Sequence, residues 1–175
     1  MQRHWMPRLE RFALALACVA PLACAKQPAK IEIGGLDRIE AVLAEQRGHG
    51  VLLNFWALWC APCVAELPEL MEVARESAAR GGRVVLVSYD LMLPRAEREA
   101  TLEAVKEFAK SRGFDVPIVI YDAPDYAAID ERFRLSGGVP VTIAFDAGGK
   151  TVDVQDGQAD KARFAQMMEQ ALAEK

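Results

Sequence analysis

Two cysteines, Cys60 and Cys63, stand two residues apart in the stretch NFWALWCAPCVAELP. A pair at this spacing can alternate between a dithiol and a disulfide, because one thiolate can attack a mixed disulfide formed at the other. The preceding run VLLNFW predicts a buried strand and the following residues predict a helix, which puts Cys60 at the helix N-terminus. There the unpaired N–H groups and the helix dipole stabilise a thiolate. We therefore expect Cys60 to be a nucleophile and Cys63 to be its resolving thiol.

Three neighbours of the pair bear on this chemistry. Pro62 suits the first turn of a helix, and we expect Trp59 to cover one side of the sulfurs. Glu66 lies one helical turn beyond Cys63 and could accept its proton, provided that the site is dry enough to raise the carboxyl pKa. The alternative is an ordinary solvated helix glutamate.

A metal site is the main rival interpretation of two closely spaced cysteines. Zinc or copper would need two further sulfur or imidazole ligands, whereas the only histidines are His4 and His49. We therefore expect neither a metal nor another bound cofactor. A purely structural disulfide is also disfavoured, because so small a loop adds little stability.

The N-terminus has the order of a secretory leader. Three arginines precede the uncharged run Phe12 to Ala23, which is too short to span a bilayer comfortably. We expect residues 1–25 to be a signal peptide and residues 26–175 to form one domain. The stretch PLAC also resembles a lipoprotein signal that ends before Cys24, so soluble and lipid-anchored forms both stay open. Either cleavage removes Cys18 and leaves Cys60 and Cys63 as the thiols of the fold.

The composition restricts the partners of the mature chain. The 175 residues are 52% hydrophobic, which suits one domain with a sizeable core. Loss of the leader removes three arginines and one glutamate, taking the net charge from −4 to −6. We therefore expect no nucleic-acid partner, no membrane contact beyond a lipid anchor, and a monomer.

Strands and helices alternate along the chain, which predicts an α/β sheet that is parallel in part and antiparallel at one edge. A long helix follows Cys60 and should kink at Pro68. The charged segment Leu91 to Glu99 could be a partner surface, but we expect the solvated start of the next helix. The predicted strands lie in KIEIGG, VLLNFW, RVVLVSYD, PIVIYD, VTIAFD and TVDVQ.

The stretches NFWALWCAPC and GGVPVTIAFD resemble the thioredoxin fold, and in particular the TlpA/ResA-like family of exported thiol-disulfide oxidoreductases. The resemblance spans about Ile31 to Leu172. It implies a mixed central sheet flanked by helices on both faces. It also implies a cis peptide bond between Val139 and Pro140, in a loop that holds substrate backbone beside the cysteines.

Asn54 stands where cytosolic thioredoxins have a buried aspartate that exchanges a proton with the second cysteine. Asparagine cannot titrate, so that route is closed. In the TlpA/ResA-like group a glutamate three residues beyond the second cysteine tunes the pair, and Glu66 occupies that position.

The sequence thus predicts a periplasmic or otherwise extracytoplasmic disulfide reductase that acts on exported proteins. By resemblance, a membrane thiol donor would re-reduce it. A thiol oxidase or disulfide isomerase of the same fold is the nearest alternative, because a stabilised Cys60 thiolate makes the pair more oxidising. A non-enzymatic, metal-binding thioredoxin-like module is a further alternative. A peroxidase of the thioredoxin superfamily is disfavoured, because those enzymes place a lone peroxidatic cysteine in a different local context.

Overall fold

The computed structural model describes Met1 and residues 29–92, 97–124 and 126–173. The described residues form six strands: β1 Ile31–Gly34, β2 Gly50–Trp56, β3 Gly82–Ser88, β4 Ile118–Tyr121, β5 Val141–Phe145 and β6 Thr151–Asp156. The five α-helices of these residues are α1 Leu36–Glu45, α2 Ala61–Ser77, α3 Arg98–Ser111, α4 Ala127–Phe133 and α5 Lys161–Ala173. Short 3-10 helices follow α2 and β3, at Ala78–Arg80 and Asp90–Met92.

The strands form one mixed sheet in the order β1-β4-β3-β2-β5-β6. The pairs β1–β4, β4–β3 and β3–β2 are parallel, whereas β5 runs antiparallel to both β2 and β6. The predicted combination of a parallel part and an antiparallel edge is confirmed. β2 is buried along its whole length, as its uninterrupted apolar run indicated.

Helices cover both faces of the sheet. The contacts of Phe55 and Trp56, the last two residues of β2, show that α4 and α3 lie on opposite faces. Successive side chains of a strand point to opposite faces. The Phe55 ring packs against Phe133 of α4, whereas the Trp56 ring packs against Phe108 of α3. α1 joins α4 through the Arg132–Glu40 ion pair, and α5 packs against α2.

α2 continues through Pro68, with its buried residues recurring every three or four positions. The sequence predicts that the segment Leu91 to Glu99 contains the solvated start of the next helix. In the structure α3 begins at Arg98, and its N-cap residue Glu97 is exposed. Residues 93–96 lie outside the described part of the chain. Among the helices of the described residues, none combines the length and apolarity that a membrane span requires.

The expected leader, with Cys18 and Cys24, falls within residues 2–28, outside the part of the chain that the structure describes. Secretion and acylation of Cys24 therefore stay predictions.

Candidate active site

Cys60 lies where the chain passes from β2 into α2. After Trp56 the residues Ala57 to Cys60 form a tight turn, closed by a hydrogen bond of 3.1 Å from the Cys60 N–H to the Ala57 carbonyl. Cys60 is the N-cap residue of α2, and its sulfur accepts the Cys63 N–H at 3.3 Å. Pro62 occupies the first turn, where its missing N–H costs no helical hydrogen bond. The helix start thus directs a backbone donor at the Cys60 sulfur.

Cys60 and Cys63 form a disulfide, and the surroundings of the two sulfurs differ. Cys60 is 6% exposed and Cys63 is completely buried, so an incoming molecule meets Cys60 first. Trp59 is 48% exposed, an unusual position for a large aromatic ring. It offers an exposed apolar surface at the residue that precedes Cys60.

The loop before β5 lies next to the Cys60 sulfur. The Val139–Pro140 peptide bond is cis, and the Val139 carbonyl oxygen lies 3.7 Å from the Cys60 sulfur. The Gly157 N–H donates to the Pro140 carbonyl at 2.9 Å, which ties this loop to the chain that follows β6. The antiparallel pairing of β5 with β2 brings Val139 to the end of the sheet where Cys60 lies.

One helical turn beyond Cys63, a group of buried, hydrogen-bonded polar residues is centred on Glu66, which is 2% exposed. The Asn54 amide donates to Glu66 Oε1 and to the Thr142 hydroxyl oxygen, both at 2.9 Å. The Ala159 N–H donates to Glu66 Oε2, also at 2.9 Å. Asn54 and Thr142 lie opposite each other in the β2–β5 register. Strand β2, helix α2 and the loop before α5 therefore meet at one carboxylate, and strand β5 joins them through Asn54.

Burial raises the pKa of the Glu66 carboxyl above its ordinary value. The hydrogen bonds from Ala159 and Asn54 act in the opposite direction, and the nearby charge of Glu69 adds to the rise. The alternative of a solvated helix glutamate is therefore wrong. At 2% exposure, Glu66 has the dry surroundings that the sequence analysis required of a proton-accepting carboxylate.

Thr142 and Ala159 belong to this group, although the sequence analysis identified neither. Thr142 is the one polar residue of the apolar strand VTIAF, a weak signal that it has a buried partner. Ala159 contributes only its backbone N–H, which no side-chain pattern could indicate. Within the described residues, no cluster of three or more His, Cys, Asp or Glu side chains is arranged to hold a metal ion.

A mixed sheet that presents a disulfide at a helix N-terminus, opposite a cis-proline loop, defines a thioredoxin-fold thiol-disulfide oxidoreductase. The chain belongs to the AhpC/TSA family, whose sequence model matches residues 25–154. Its relatives include several thiol-disulfide oxidoreductases. The protein ResA of Geobacillus thermodenitrificans is 29% identical over 160 residues, which are 91% of this chain and 80% of that one.

Two solved structures agree with this assignment. A thiol:disulfide interchange protein from Chlorobium tepidum is 28% identical with a TM-score of 0.60, over 74% of this chain and 83% of that one. A secreted thiol-disulfide isomerase from Corynebacterium glutamicum is 25% identical with a TM-score of 0.61, over 75% of each chain. The thioredoxin fold and the ResA/TlpA-like character predicted from the sequence are confirmed.

Proposed function

We propose that this oxidoreductase is an extracytoplasmic disulfide reductase of exported proteins. The observation that carries the proposal is the disulfide at the start of α2, with its more accessible sulfur at Cys60 and its buried sulfur at Cys63. The arginine-then-apolar order of the first 25 residues supports export, as does similarity to a relative described as secreted.

In the reduced protein, the Cys60 thiolate attacks one sulfur of a substrate disulfide. The new bond is a mixed disulfide, and the other substrate sulfur leaves as a thiolate. The Cys63 thiolate then attacks the Cys60 sulfur, which releases the second substrate thiolate and restores the Cys60–Cys63 disulfide. The substrate gains two electrons, which the cysteine pair loses.

Glu66 serves the second step as the acceptor of the Cys63 proton. It lies one helical turn beyond Cys63, and both side chains are buried. A carboxyl with a raised pKa is better matched to a thiol than an ordinary glutamate is. The Asn54 amide cannot titrate, and its role is to hold the Glu66 oxygen through the bond described above.

Trp59 and the Val139–Pro140 loop form the surface on which substrate backbone docks. The loop presents a backbone carbonyl beside the Cys60 sulfur, and the exposed Trp59 is the residue before Cys60. A membrane thiol donor then re-reduces the pair, which completes the cycle without a bound cofactor.

One feature also favours the opposite direction of electron flow. The Cys63 N–H that reaches the Cys60 sulfur would stabilise a Cys60 thiolate, and a stabilised thiolate makes the pair more oxidising. A thiol oxidase or isomerase is therefore the second candidate.

The reduction potential of the Cys60–Cys63 pair separates the two candidates. We expect a value near that of thioredoxin, about −270 mV, or below it, whereas a value near that of DsbA, about −120 mV, would indicate an oxidase. The variant Cys63→Ser should accumulate a mixed disulfide at Cys60 with a disulfide-bonded test protein, detectable by intact mass. A matched Cys60→Ser variant should accumulate none.

A further inference from the structure

The turn that carries Cys60 is held from the neighbouring strand. β2 and β3 are parallel and Trp56 lies opposite Ser88, so both strands end side by side. The Tyr89 N–H donates to the Trp56 carbonyl at 2.8 Å, and this bond connects the ends of the two strands. The first residue of the next 3-10 helix, Asp90, therefore lies beside the redox turn.

The carboxylate of Asp90 joins these two segments directly. Its Oδ1 accepts the Leu58 N–H at 2.9 Å, and its Oδ2 accepts the Ser88 hydroxyl at 2.7 Å. The Asp90 N–H donates back to the Ser88 hydroxyl oxygen at 3.2 Å. The residue is 4% exposed; its contacts with Ser88 are buried, and its contact with the Leu58 N–H is partly buried.

Leu58 is the first of the two central residues of the Ala57–Cys60 turn. The N–H of that position is not used by the hydrogen bond that closes a turn, so it needs another acceptor. Asp90 supplies that acceptor as a carboxylate, and hydrogen bonds to a charged acceptor are roughly twice as strong as neutral ones. This bond connects the turn that presents Cys60 to the segment that follows β3.

Burial of a carboxylate is costly, so the group needs its hydrogen bonds. Burial raises the pKa of the Asp90 carboxyl, while the bonds from Ser88 and Leu58 oppose the rise. A comparable buried aspartate, Asp146, holds the β5–β6 turn through the Lys150 N–H at 2.8 Å. Because β5 runs antiparallel to β2, that turn lies at the end of the sheet away from Cys60.

We propose that Asp90 is a positioning residue for disulfide exchange, which acts through the Leu58 N–H on the turn that presents Cys60. The proposal rests on Cys60 being the nucleophile of the proposed function. Asp90 itself does not take part in the bond exchange.

The test compares Asp90→Ala, Asp90→Asn and Asp146→Ala with the wild type. Two quantities are measured on the reduced, folded proteins: the pH midpoint of Cys60 alkylation by iodoacetamide, mapped by mass spectrometry, and the rate of exchange with a disulfide-bonded peptide. Asp90→Ala should raise the midpoint and slow exchange on the order of tenfold, because the sulfur is displaced from the helix N-terminus. Asp90→Asn should fall between Asp90→Ala and the wild type, since its amide oxygen can still accept the Leu58 N–H but is a weaker, neutral acceptor. Asp146→Ala should lower the Tm and leave both quantities unchanged.

An Asp90→Ala variant that is less stable but matches the wild type in both quantities would overturn the proposal. A lower midpoint in both Asp90 variants would also overturn it, because that pattern shows a through-space charge effect. Should Asp90→Ala not fold, Ser88→Ala removes the donor to Oδ2 and should give intermediate slowing; wild-type behaviour there would contradict the proposal. Absence of exchange by the wild type would refute the proposed function instead, while the alkylation midpoints would still report on Asp90.

Discussion

Replacement of Glu66 by glutamine is the sharpest test of the buried carboxyl. Glu66 accepts two N–H groups, one on each oxygen, from Asn54 and Ala159. A glutamine has one oxygen, so its NH2 group must face the other donor. The Glu66→Gln variant keeps the side-chain volume and can keep the Ala159 bond through its oxygen, but it keeps the Asn54 contact only if the Asn54 amide turns over so that Oδ1 accepts from the new NH2 group.

The effect on stability should depend on pH, and its sign follows from the raised pKa of Glu66. A carboxyl whose pKa is raised on folding favours the folded state below its ordinary value, and this contribution is lost as the pH rises through the raised pKa. The loss is at most about 1.4 kcal/mol per pH unit. Asp90 is shifted in the same direction, but it is present in both proteins and cancels in the difference.

The free energy of unfolding of the oxidised proteins can be measured with urea and tryptophan fluorescence from about pH 4 to about pH 8. We expect the stability of the wild type to fall relative to Glu66→Gln across this range by about 1 kcal/mol or more. Glu103→Gln, at an exposed position of α3, is the control for loss of one negative charge. Parallel curves for the wild type and Glu66→Gln would show that the carboxyl titrates as an ordinary glutamate. Disulfide-exchange rates of Glu66→Gln that equal those of the wild type at every pH would refute the proton-accepting role of Glu66.

Three further substitutions can be tested by urea unfolding, two in the buried group around Glu66 and one at the end of the sheet away from Cys60. Asn54→Asp places a second carboxyl against Glu66 and should cost a few kcal/mol at neutral pH and much less in acid, whereas a pH-independent cost would contradict the contact. Thr142→Val leaves a buried Asn54 N–H without its acceptor and should cost about 1–3 kcal/mol, in contrast to the small effect expected if the bond did not form. Gly82→Ala would bring a Cβ into the Ser77 side chain and should cost about 1–3 kcal/mol through overpacking; a neutral result would show that the end of α2 yields easily.

The parts of the fold that the sequence predicted are those specified by nearby residues. The apolar run of β2, the helix signal after Cys60 and the spacing of the cysteines are all local, and the structure places them as expected. The burial of Glu66 was also encoded locally. It falls three residues after Cys63 and four before Leu70, on the buried stripe of α2, and that periodicity favours burial over solvation.

The partners of the site residues could not be predicted in this way, because they come from distant parts of the chain. Asn54 meets Thr142 across a strand register that only the assembled sheet defines. Ala159 contributes a backbone group, which carries no sequence signal of its own.

Asp90 shows the same limit most clearly. It directly precedes a charged segment, and by composition it would be taken for one more solvated acidic residue. Its burial follows instead from the parallel register that ends β2 and β3 together and leaves the Leu58 N–H in need of an acceptor. A buried carboxylate is tolerated only where hydrogen-bond donors surround it. At this position the donors are the Leu58 N–H of the redox turn and the Ser88 hydroxyl, which together explain how an aspartate can be buried here.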